Sequence, residues 1–165
     1  MEQIHIDIVS MITPSWLASV PSNFGSASHG KLKADQWRVL GSVYLPISLI
    51  HLWWSAEPGN ARSERCRKIL DVTIALLSAV SIATSRVTSP RHADLYLQHM
   101  QVYLTGLKEL FPDWKFLPNQ HMALHLRDYI LLYGPVHSWW AFPFERMIGT
   151  LQRISTNYKE GTAPC

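Results

Sequence analysis

Cysteine is scarce in this chain: Cys66 and Cys165 are the only two among 165 residues. Two thiols this far apart give neither a disulfide framework nor a cysteine metal site, so the expected setting is a reducing intracellular one, nucleus or cytoplasm. A strong charge of one sign is also missing. Lys and Arg number 15 against 12 Asp and Glu, a net +3; this permits contact with phosphate without requiring it. The N-terminal stretch MEQIHIDIVSMI has two acids and no basic run ahead of its apolar residues, unlike a secretory signal. No apolar run approaches the ~20 residues that cross a bilayer. VYLPISLIHLWW (43–54) contains Pro46 and His51, and VTIALLSAVSIA (72–83) is flanked by Asp71 and Arg86, so both read as buried helices and no membrane partner is expected. Present in quantity are hydrophobic residues, 47% of the chain, enough to bury one domain's core.

The apolar periodicity is helical nearly throughout, and no internal repeat interrupts it. It predicts an all-α fold, a bundle of five or six helices with at most one short strand. A short helix covers 2–12, and the Ser, Gly and Pro of SVPSNFGSASHG (19–30) mark a linker. Residues 1–29 thus form an N-terminal helix and linker, 30–160 the main helical domain, and 161–165 a tail. The segment from Lys33 to about Ser55 places Trp37, Leu40, Tyr44 and Ile47 on one face, with Pro46 expected to kink or split it. Asn60 is a capping residue for a long helix over 60–86, with Ile69, Val72, Ile74, Leu76, Leu77 and Val80 as its buried face. Ser89-Pro90 starts a third long helix, to about 111. A fourth runs from Asn119 to Tyr133 and stops at Gly134-Pro135. VHSWWAF (136–142) is the one candidate for extended chain, and a last helix starts near Pro143.

Four groups of residues could carry chemistry. His121 and His125 in HMALH share one helix face at the spacing of two metal ligands. The zinc-protease pattern has a glutamate where Met122 stands, and no third ligand follows at a familiar spacing, so the expectation is two packed or hydrogen-bonded core histidines and no metal. Arg62, Arg65, Arg67 and Lys68 crowd a helix start, where positive charge opposes the helix dipole. This leaves open a solvated face or a contact with DNA phosphate, for which Arg62, Arg65 and Lys68 are the candidates. The tryptophans Trp53, Trp54, Trp139 and Trp140 fit a core better than base stacking. Glu145, third in a helix beginning at Pro143, would be stabilised there by the dipole and free amides without any catalytic role. A lone carboxylate does not hold the paired metal ions of phosphoryl transfer.

GKLKADQWRVLGSVYLPISLI (30–50), LPNQHMALHL (117–126) and YGPVHSWWAFPFERMIGTLQRISTN (133–157) resemble the domain of unknown function that follows the catalytic domain in CACTA-type (En/Spm) DNA transposases, in its fungal version. The shared positions are Lys33, Asp35, Leu45 and Pro46, then His121, His125 and Leu126, then Gly134, Pro135, Val136, Trp140, Pro143, Glu145, Arg146 and Asn157. The resemblance implies a eukaryotic mobile-element origin and a parent protein that cleaves and joins DNA with Mg²⁺. It implies for Glu145 the place of a third acid beside two aspartates of an RNase H-like domain, with Arg146 in support. Those aspartates and their strands would lie in a preceding catalytic domain, so the expected role of this chain is that of a truncated C-terminal accessory region, not an enzyme alone and without a cofactor of its own. Its expected partners are DNA and the missing catalytic domain, with self-association left open. A helical protein-interaction module of transposon origin is the competing expectation.

Overall fold

The computed structural model describes residues 2–17, 19–21, 23–25, 32–54 and 59–154, with the side chains of Ala34 and Asp35 excepted. All regular structure among them is helical. The order is α1 (Glu2–Ser10), α2 (Ala34–Val39), a π-helical turn (Leu40–Tyr44), α3 (Leu45–Trp53), α4 (Ala61–Ala83), α5 (Pro90–Leu110), α6 (Pro118–Tyr133), a 3₁₀ turn (Val136–Ser138) and α7 (Phe142–Leu151). Since α2, the π turn and α3 run on without a break, these make six helical rods.

Side-chain chemistry fixes the rod ends. Asn60 Oδ1 accepts from the Arg62 amide at 2.9 Å and opens α4. Ser89 Oγ accepts from the His92 amide at 3.2 Å and opens α5, with Pro90 as its first residue. Gly134, at φ 77°, ends α6 in a conformation few side-chain-bearing residues adopt. The expected break at Pro46 takes another form. The Leu45 amide bonds five residues back, to Leu40 O, so the helix widens into a π turn just ahead of the proline, and Pro46, which has no N–H to give, follows as the second residue of α3 without splitting the rod.

Two cores share α4. Ile4 and Ile8 of α1, Val20 and Phe24 of the following loop, Val39, Leu40, Tyr44 and Leu49 of α2–α3, and Leu70 of α4 form the first. Ala79 and Ala83 of α4, Ala93, Tyr96 and Met100 of α5 and Ile130 of α6 form the second. The deepest positions of α4 are thus Leu70, Val72, Ala75, Ala79 and Ala83, whereas Ile69, Ile74, Leu76 and Leu77 are half-buried and Val80 is exposed. Small residues win the centre because α5 runs antiparallel at close range. A Cβ added at Gly106 would stand 2.3 Å from Val72 Cγ2.

Polar contacts fix α6 on α5. The Tyr96 hydroxyl donates to Ala123 O at 2.7 Å, and burial pushes its pKa up to about 12. Arg127 pairs with Asp94 at 2.8 Å and with its neighbour Asp128 at 3.0 Å; the Asp94 hydrogen bond, then that of Asp128, raise the guanidinium further above its usual range.

Candidate functional site

The block from Gly134 to Leu151 is built from its turn outward. After Gly134-Pro135, Ser138 Oγ donates to Pro135 O at 2.7 Å and the Trp139 amide to Val136 O at 3.1 Å, which makes 136–138 a 3₁₀ turn and not the extended piece expected. His137 ties this turn to the end of α4. Its Nε2 lies 2.6 Å from Thr84 O, so Nε2 carries the proton and donates. Trp140 stacks edge-on against His137 and against Phe142, with centroids 3.9 and 5.0 Å away, and the Trp139 indole donates to Gly134 O at 3.2 Å.

This aromatic chain sits at the surface and not in a core. Trp139 and Phe142 are exposed and Trp140 is half-buried; further back, Trp53 is half-buried and Trp54 exposed. The expectation of core tryptophans holds for Trp53, which packs against the first core, and is corrected for Trp54, Trp139 and Trp140. The rings of Trp139 and Trp140 meet neighbouring aromatic rings and, for Trp139, a backbone acceptor instead of filling the space between helices.

Helix α7 starts one residue earlier than expected, at Phe142, with Pro143 second and Glu145 fourth. The Glu145 amide already donates to Ala141 O at 3.0 Å, so the residue stands just past the turn of free amides. Glu145 and Arg146 are both exposed. Among the described residues no group of three or more His, Cys, Asp or Glu side chains converges to hold a metal ion. Glu145 therefore does not fit a Mg²⁺ site by itself. Nothing among the described residues buries any residue of α7: Phe144, Met147, Ile148 and Leu151, at positions one helix face shares, are 66, 61, 53 and 58% exposed.

The basic cluster on α4 has an explanation within the chain. Because α4 and α5 are antiparallel, the start of α4 lies beside the end of α5, where cations are favourable against exposed carbonyls. Arg65 donates to Leu110 O at 3.2 Å with its guanidinium 5.3 Å above the Phe111 ring, and Lys68 meets Glu109 at 2.6 Å. Arg67 reaches Trp54 O at 3.2 Å, and Arg62 is exposed. Of the three candidate phosphate contacts, two are thus committed to α5.

His121 and His125 meet as their spacing predicts, Nε2 to Nε2 at 3.3 Å with rings edge to face, but both are exposed on α6 and not inside the bundle. Asp35 lies on α2 with its side chain outside the described atoms, and Asn157 lies outside the described residues. Sequence reasoning missed His137, whose link to Thr84 positions the whole aromatic block; its place in GPVHSWW was the only signal. No described helix is long and apolar enough to cross a membrane.

The regular structure of the described residues sets the class: an all-helical domain that carries an exposed carboxylate and an exposed histidine pair. The sequence model of a family described as Domain of unknown function (DUF4218) matches residues 85–162, just under half of the chain. The match takes in α5, α6 and the aromatic block through α7 and leaves out the stretch at 30–50. No curated protein and no solved structure matches the chain.

Proposed function

We propose that this chain is the helical accessory region of a CACTA-type DNA transposase of the fungal kind, working in the nucleus through contacts and not through chemistry of its own. The observation that carries this reading is the state of α7. The helix that bears the most family-like block turns its apolar face outward, and the acid beside that face has no metal-binding company among the described residues. Glu145 would act as a third acid, with Arg146 in support, only next to aspartates brought by another domain. Magnesium accordingly belongs to the parent protein in this reading.

A helical interaction module that never touches DNA is the second reading, and the engagement of Arg65 and Lys68 with α5 favours it. Anisotropy of a labelled duplex separates the two. The transposase reading expects weak binding at low salt that falls steeply as salt rises and is reduced in R62Q, whose side chain is exposed. Absence of binding at low salt would leave only the interaction module. Cleavage of supercoiled DNA by the purified chain with Mg²⁺, lost in E145Q, would overturn both.

A further inference from the structure

We propose that His121 and His125 form a chelating site for a borderline divalent ion, zinc, nickel or copper, on the outer surface of α6. Two nitrogen donors bound to one tetrahedral ion at about 2.05 Å each stand about 3.3 Å apart. The two Nε2 atoms are 3.3 Å apart already, held by one helical turn and by their own hydrogen bond. In that hydrogen bond one Nε2 carries a proton and the other a lone pair; once the donating ring passes its proton through solvent to its own Nδ1, both imidazoles are neutral Nδ1–H tautomers and each Nε2 offers a lone pair to the ion after small ring rotations. Neither ring is buried, so access costs no opening of the fold. His121 also lines a groove of ≈ 420 Å³ between α5 and α6, whose wall is mostly apolar (Leu104, Phe116, Leu124) and includes one cation, Lys108.

The donor set selects the ion. Imidazole suits zinc, nickel and copper and is a poor ligand for hard magnesium or calcium. Two protein ligands leave coordination positions open to water or to donors from another molecule, the pattern of an open site and not a closed structural one. This inference is independent of any transposase role and distinct from the magnesium chemistry of the parent protein, since it concerns a different helix and a different class of ion.

Calorimetric titration of the untagged chain with zinc or nickel chloride tests it. The expected result is one ion per chain, or one per two chains if two pairs share an ion, with no heat from magnesium chloride. H121A and H125A should each weaken binding at least about 10-fold, while H51A, on a distant helix, binds as the parent chain does. Because the ion clamps one turn of a folded helix, zinc in excess should raise the melting temperature of the parent chain and not that of H125A. Equal uptake by the H121A/H125A double variant, or no uptake by the parent chain at millimolar zinc, would overturn the proposal.

Discussion

At the α4–α5 crossing, one hydrogen atom on Gly106 decides how near two long helices come. A glycine within a helix ordinarily costs about 1 kcal/mol relative to alanine, so Gly106→Ala on an open face would stabilise. Here the added methyl would meet Val72 Cγ2 at 2.3 Å, and overpacking of this kind costs about 1–3 kcal/mol. G106A should therefore lower the melting temperature, and V72A should recover part of that loss when combined with it. Additive losses in the double-mutant cycle would show that the two positions do not touch. The same residue scale shows why Arg65 and Lys68 looked misplaced in the sequence. Periodicity identifies the helix they start, but only the antiparallel neighbour reveals that their charges face the carbonyl end of α5.

At the scale of elements, α1 is held to α3 by apolar contacts and one carboxylate. The Gln3 amide donates to Asp7 Oδ1 at 2.9 Å, and His51 Nδ1 lies 4.0 Å from Oδ2. Ser48 Oγ lies by the carboxylate without a well-formed hydrogen bond, so Gln3 is the partner that matters most. The Gln3 hydrogen bond holds the Asp7 carboxyl below its usual range against the opposing effect of burial, with smaller help from Ser48 and His51. A depressed carboxyl contributes stability that is present above its unfolded pKa of 3.8 and lost as pH falls through the lower folded value. Melting followed from pH 6 down to about pH 2 should show this loss in the parent chain and a shallower one in D7N; parallel curves would remove Asp7 from the account.

Element ends were the most legible feature of the sequence. Asn60, Ser89 and Gly134 each carry a local chemical reason to start or stop a helix, and each does so. The π turn was not legible, because Pro46 signals a disturbed helix without specifying whether the chain kinks, splits or widens by one residue ahead of it. Of the buried face of α4 only Val72 was legible. Size and hydrophobicity pointed to Ile69 and Val80, while the close approach of α5 selected Ala75, Ala79 and Ala83. The histidine pair was readable as a pair from its spacing, but its exposure was not.

For the whole molecule, the division is between a packed α1–α6 body and an α7 that offers Phe144, Met147, Ile148 and Leu151 outward. Large exposed apolar patches on monomers commonly mark contact surfaces. Within the described residues α7 owes its position to the His137 link and the Trp140–Phe142 stack and not to burial of its own face. M147D and L151D should thus change stability by no more than about 0.5 kcal/mol, as surface substitutions do. The deeper positions differ, and Met100→Ala should cost about 2–5 kcal/mol.

Native-state hydrogen exchange of the full chain measures the same division directly. The amides of α4, α5 and α6 should exchange only through global unfolding, and those of Met147 to Leu151 in α7 orders of magnitude faster, through local opening near zero free energy. Equal protection of α7 and α5 would mean that α7 is docked within this chain, and would contradict the claim that its apolar face awaits a partner.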